Sequence, residues 1–287
     1  MAYTDAHRLF LQNCLLERCL PQSKAEQIFQ KCLSATSSDQ TERNFQDAIL
    51  TVNVALDPIN LELRTIQDEI SGERMVAIVN TKGDDIAQMA TSYSASELNA
   101  FKHLIKLIMT ADDGNFCVAS TATINDIYHL GTHGSKLLVQ EFLKDLVRSQ
   151  WLDLSAAGYY SLSNRSIVDL QTYLKEEYSE CISECFLCKE IVTKGERCPR
   201  EDCGTALHVY CARKYIPVHR NQCPSCHTSW VESQVFGSQT FDGTQLRQSR
   251  IEVSRQRRQT SASTPDSNRE EGEEVEVDEE EARDEEE

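Results

Sequence analysis

Apolar residues recur at helical spacing through the first 56 positions, then give way to strand-like runs. Leu9, Phe10, Leu16 and Leu20 begin an apolar face that Pro21 should terminate. Ser23 is placed to cap a second helix carrying Ala25, Ile28, Phe29, Cys32 and Leu33 on one side. After a polar loop at 34–41, a third helix presents Phe45, Ala48, Ile49, Val52 and Leu56, and Asp57-Pro58 stops it. Strand-like runs at 59–66 and 75–80 follow, with a Ser71-Gly72 turn between them. Three helices and then a hairpin is the order of a winged helix.

The order repeats although the residues do not. Ser94 and Glu97 form a capping box ahead of Leu98, Phe101, Leu104, Ile105, Ile108 and Met109. A short helix from about 121 to 130 is broken by Gly131 and Gly134. The next helix is expected to turn Leu137, Leu138, Phe142, Leu143, Leu146 and Val147 inward. A compact hairpin then runs from Trp151 to Leu162 around Gly158, and a connecting helix carries Ile167, Leu170, Tyr173 and Leu174. The expected architecture is α+β: winged helix A at 1–92, winged helix B at 93–178, a small zinc domain at 181–230 and a tail at 231–287.

The net charge of −17 is spread unevenly. Residues 231–287 hold 17 acidic and 7 basic side chains, so this short tail carries −10 of it. A segment so charged and so poor in large apolar residues cannot offset its ordering entropy, and disorder is expected there. The basic run Arg255-Gln256-Arg257-Arg258 reads either as a nuclear-import signal or as a patch in a linker. No apolar run is long enough to span a bilayer, and no signal-peptide pattern opens the chain. Lys136, Lys144 and Arg148 on the second copy's third helix alternate with Glu141 and Asp145, while the first copy has Glu42, Arg43 and Asp47. Alternating charge is a solvated face rather than a grip on phosphate, so DNA is expected only through a larger complex.

The chemistry is concentrated between Cys185 and Cys226. Potential ligands fall in pairs: Cys185 and Cys188, Cys198 and Cys203, His208 and Cys211, Cys223 and Cys226. Closely spaced Cys/His pairs grip one tetrahedral ion from a tight turn, and four pairs suffice for two closed zinc sites. A segment this short cannot fold on apolar burial alone. Structural zinc supplies on the order of 10–16 kcal/mol, released only when the chain folds around it. Cys14, Cys19, Cys32 and Cys117 lie in apolar surroundings and read as reduced buried thiols.

This segment resembles a RING domain of atypical C4HC3 order. The resemblance implies interleaved sites, with Cys185, Cys188, His208 and Cys211 on one zinc and Cys198, Cys203, Cys223 and Cys226 on the other. Cys181, His219 and His227 lie close enough for a ligand swap. A PHD finger shares the ligand order, but Asn221 stands where its aromatic residue would be, and Leu187 with the Cys223-Pro224 pair is RING-like. Two winged helices before such a RING resemble the family of first non-SMC elements of the complex built on the fifth and sixth SMC proteins. Local phrases agree: Phe10-Leu11-Gln12, Met89-Ala90-Thr91, Glu97-Leu98 and Trp230 beyond the last ligand.

That family implies a ubiquitin ligase subunit in the nucleus, on the chromosome, acting in DNA repair. Its expected partners are a MAGE-like third element, a kleisin-like fourth element, the SMC pair and a ubiquitin-conjugating enzyme docked on Leu187, Ile216, Pro217 and Pro224. No catalytic residue is expected, because a RING acts by orienting a charged conjugating enzyme. His227 replaces the basic residue that follows the eighth ligand in many active RING domains, which implies weak intrinsic transfer. The competing expectation is a non-enzymatic scaffold or PHD-like chromatin-binding subunit, whose own helices or partner would cover the Leu187 groove.

Overall fold

The computed structural model describes residues 3–36, 44–81, 93–111 and 114–241. Winged helix A is built from α1 (Asp5–Glu17), β1 (Cys19–Pro21), α2 (Gln22–Ala35), α3 (Phe45–Leu56), β2 (Leu61–Gln67) and β3 (Arg74–Asn80). The three strands pair antiparallel in the order β1-β3-β2. Three helices close over this sheet around Phe10, Phe29 and Phe45, whose rings meet edge-on or tilted at 5.4–6.2 Å.

Winged helix B repeats the plan with α4 (Ala95–Met109), β4 (Cys117–Ala119), α5 (Ser120–His129), α6 (Lys136–Arg148), β5 (Leu152–Leu154) and β6 (Tyr159–Leu162). Its sheet order, β4-β6-β5, is the same. The expected capping box is formed: the Ser94 hydroxyl accepts from the Glu97 N–H, and Glu97 accepts from the Ser94 N–H at 2.7 Å. Two short helices, α7 (Asn164–Asp169) and α8 (Gln171–Glu177), replace the single expected connecting helix.

Several expectations need correction. Leu20 belongs to β1 rather than to the first helix, and Leu16 is 83 % exposed, because α1 buries Ala6, His7, Phe10 and Cys14 instead. Ser23 does not cap α2, which starts at Gln22 directly after Pro21. The fixed φ of proline suits both the end of an edge strand and the entry to a helix. In α6 the inward residues are Val139, Phe142, Leu143 and Leu146, while Leu137 and Leu138 stay exposed. Their neighbour Val139 completes the i, i+3, i+4, i+7 stripe that they do not.

The zinc segment contributes β7 (Ser183–Glu184), β8 (Ile191–Val192), β9 (Gly195–Arg197), β10 (Ala206–His208), α9 (Val209–Tyr215) and β11 (Gln234–Phe236). β11 corrects the boundary placed at 230. It pairs antiparallel with β9 (Gln234 opposite Arg197, Phe236 opposite Gly195) and extends the sheet to β10-β9-β11. Phe236 is buried against Phe116 of winged helix B, with the Arg197 guanidinium 4.1 Å from its ring. The acidic stretch and the basic cluster at 255–258, like Met89-Ala90-Thr91, Glu42 and Arg43, lie outside the described residues. Among those described, no helix is long and apolar enough to cross a membrane.

The zinc module is not a separate bead. One continuous apolar cluster runs from Phe101 and Leu146 through Leu170 and Leu174 to Ile191, Leu207, Trp230 and Phe236. Winged helix A keeps its own core. It is tied to B by the Gln150 side chain, which accepts from the Cys19 N–H at 3.2 Å and donates to the Cys19 carbonyl at 3.3 Å. Burial pushes the Cys14 thiol up to about 12 and Cys19 to about 11, as expected of inert packed cysteines.

Candidate metal centre

The ligand pairs sit on turns that the backbone closes tightly. The residue after the second cysteine of three pairs is left-handed: Lys189 at φ 64°, Gly204 at 62° and His227 at 59°. The Lys189 N–H donates to the Cys185 carbonyl and the His227 N–H to that of Cys223. These reversals turn both sulfurs of a pair to one side. His208 ends β10 and Cys211 follows in α9, so that pair is presented from a strand-to-helix junction.

Two clusters result. Cys185, Cys188, His208 and Cys211 gather their ligand atoms within 4.8 Å of one another, and so do Cys198, Cys203, Cys223 and Cys226. In the first, His208 Nδ1 lies 3.3 Å from Cys188 Sγ and 4.0 Å from Cys211 Sγ. In the second, Cys198 and Cys226 sulfurs are 3.5 Å apart, and those of Cys203 and Cys223 3.7 Å. Edges of this length match a tetrahedron with zinc–sulfur bonds of about 2.3 Å. The residues therefore fit. One set of three cysteines with a histidine and one set of four cysteines, interleaved along the chain, can hold two zinc ions. Cys181, His219 and His227 belong to neither cluster. His219 instead stacks on Tyr215 at 3.7 Å.

Polar neighbours tune the second set. The Thr228 hydroxyl and then its backbone N–H lower the Cys226 thiol to about 6, towards the thiolate that binds metal. Thr205 stands 3.1 Å from Cys203 Sγ. Neither threonine stands out from the ligand spacing, although each lies two residues beyond a ligand. Trp230, just beyond the last ligand, is buried and donates its indole N–H to Glu196 at 2.7 Å.

The four expected docking residues are divided. Leu187 is 37 % exposed beside an exposed Phe186 in the first zinc loop. Pro217 is exposed and Pro224 half-buried. Ile216 is 7 % exposed and packs inside the shared core, so it supports the module instead of lining a groove. Leu187, Pro217 and Pro224 are thus the expected docking residues that remain accessible.

A family model described as the Nse1 non-SMC component of the SMC5-6 complex matches residues 7–130 and 132–170. The chain belongs to the Nse1 family. A RING-like domain model covers residues 185–226, which favours RING over PHD. The bovine non-structural maintenance of chromosomes element 1 homolog is 27 % identical over 258 residues, 88 % of this chain and 95 % of that protein. The Schizosaccharomyces pombe element 1 is 26 % identical across 82 % of this chain and 95 % of its own length. A chain of a solved Nse1-Nse3-Nse4 complex superposes with a TM-score of 0.72 at 26 % identity, covering 81 % of this chain and 99 % of that one.

Proposed function

We propose that this Nse1-family chain is the RING-type ubiquitin-protein ligase subunit of an SMC5-6 chromosome-maintenance and DNA-repair complex in the nucleus. It binds a ubiquitin-charged conjugating enzyme at Leu187, Pro217 and Pro224 and favours the reactive arrangement of the thioester, an orientation effect that needs no nucleophile of its own. The observation that carries this reading is the exposed Leu187, with Phe186 beside it, on a loop held by a closed metal site. Clustered exposed apolar groups of this kind mark a binding surface. Partner binding falls to the winged helices. Leu15, Leu16 and Ile59 from A face Tyr93, Arg148 and Trp151 from B across one cleft, suited to a MAGE-like protein of the Nse3 kind that in turn meets a kleisin of the Nse4 kind.

A second reading, the non-enzymatic scaffold, draws on the burial of Ile216 and on the core shared with winged helix B. A ubiquitination assay separates the two. It uses the full chain with its Nse3-like and Nse4-like partners, and compares it with Leu187→Arg at equal zinc content. Transfer by the parent and its loss by at least about tenfold in the variant is expected for the ligase, one decade corresponding to about 1.4 kcal/mol of lost orientation. Equal transfer by both proteins rules out this surface, and no transfer by either leaves the scaffold.

A further inference from the structure

One contact at the first zinc cluster comes from outside the zinc module. The turn at 68–72, in the hairpin of winged helix A, is organised by Asp68. Its carboxylate accepts from the Ser71 N–H at 2.6 Å, the Ile70 N–H, the Ser71 hydroxyl and the Asn164 amide. The turn leans on the zinc module at Tyr210, whose N–H donates to the Glu69 carbonyl at 3.3 Å. Gly72, at φ +73°, has Tyr210 Cβ only 2.9 Å from where a side chain would start.

From this turn the Glu69 side chain, 4 % exposed, reaches inward. It accepts from the Thr193 N–H at 2.6 Å, the Thr193 hydroxyl at 2.7 Å and the Lys194 N–H at 3.2 Å. One of its oxygens also lies 3.5 Å from His208 Nε2. The other nitrogen of that ring, Nδ1, faces the cysteine sulfurs. When Nδ1 is the ligand, Nε2 carries the proton and donates to the Ile191 carbonyl at 3.0 Å, with the carboxylate alongside.

We propose that Glu69 is a positioning residue for the zinc ligand His208, so that the Cys185/Cys188/His208/Cys211 site is completed by a carboxylate from the first winged helix. The proposal rests on the zinc reading of that cluster. The Ile191 carbonyl alone would fix the tautomer. Glu69 adds a full negative charge beside the ring N–H, in a buried place where salt screens it little. Such partners make a ligating imidazole more basic, and losing one typically weakens metal binding by about 10–100-fold. At the second site the cysteine sulfurs are met by the Thr205 and Thr228 hydroxyls and by backbone N–H groups. Binding linkage is reciprocal. Zinc in the first site is therefore held more tightly while the A hairpin is docked, and that zinc favours the docked hairpin.

The test uses the full zinc-loaded chain exposed to excess chelator and N-ethylmaleimide, with peptide mass spectrometry reading alkylation cysteine by cysteine. Glu69→Gln keeps the shape and the acceptor oxygen but removes the charge. Alkylation of Cys185, Cys188 and Cys211 should then run about tenfold faster, the low end of the range for such partners, with Cys198, Cys203, Cys223 and Cys226 unchanged. Gly72→Ala crowds the turn against Tyr210, whose ring stacks on His208, and should show the same selectivity even if Glu69→Gln fails to fold. Thr193→Val loses one of three hydrogen bonds to Glu69 but keeps the carboxylate beside His208, and should lower the melting temperature while shifting the ratio between the sites far less than Glu69→Gln does. A purely structural Glu69 would make the Gln and Val variants alike. An unchanged ratio in Glu69→Gln, or in Gly72→Ala where the former does not fold, overturns the proposal. A parent chain with no zinc in the first site defeats the zinc reading itself, which is a different result.

Discussion

Gly195 sits in the central strand β9 of the zinc sheet, and a Cβ there would run into the carbonyl oxygen of Leu207 on β10 and the side chain of Val192. The two backbones approach so closely that any side chain must separate them, and β10 ends on the ligand His208. Gly195→Ala should therefore weaken both the strand pairing and the first zinc site. A lower melting temperature together with fewer than two zinc ions per chain, by calorimetry and metal analysis, is the expected outcome. Overpacking of this kind costs about 1–3 kcal/mol in ordinary cores, and backbone has less room to yield than a flexible side chain. The spacing of cysteines made the ligands legible at this scale, because ligand geometry is dictated by two or three adjacent residues. It was silent on Gly195, whose constraint lies 12 residues away in the chain at Leu207.

Short strands are the elements that escaped a reading from periodicity. β1, β4 and β11 have three residues each, too few for alternation to register, yet each completes a three-stranded sheet. β11 is the most consequential. Chains ending at residue 230 lose β11 and the Phe236 side chain; chains ending at 241 keep both. Truncation of a buried phenylalanine costs about 3–5 kcal/mol. A 1–230 protein should thus melt well below the full chain, while a 1–241 protein should melt with it. Differential scanning calorimetry of the three lengths checks this, and equal melting of 1–230 and 1–241 would mean that β11 adds nothing.

At the scale of the whole molecule, the apolar side chains left outside the winged helices carry the prediction for partner binding. Leu16, Leu50, Val54 and Ile59 in A are 59–83 % exposed, and Leu137, Leu138 and Leu154 in B are 48–63 % exposed. A stable interface covering part of these surfaces should bury at least about 1,000 Å² with an apolar centre. Apolar burial is not screened by salt, unlike phosphate contact. An Nse3-like partner should form a stoichiometric complex that survives high salt on size-exclusion chromatography. It should also slow hydrogen exchange within 1–178, with an affinity unchanged by deletion of 242–287. Protection confined to the zinc module would place the binding surface in the wrong half of the chain.

The amino-acid sequence alone determined the repeated helix–hairpin order, the capping box at Ser94 and Glu97 and the division of eight ligands into four pairs. Each of these depends on residues within one or two turns of chain, where spacing and geometry are the same thing. The interleaving of those pairs came from family resemblance, and the gathered sulfurs and His208 agree with it. Tertiary structure decided the burial of those apolar residues that periodicity misplaced or left open. Leu137, Leu138 and Ile216 look alike in sequence, but Ile216 is buried and the two leucines are not. It also brought Glu69 to His208 across 139 positions, and Gln150 to the edge of β1 across 131. Burial, and the company a metal ligand keeps behind its ring, are properties of what packs against a residue. For these residues the packing partners come from distant parts of the chain.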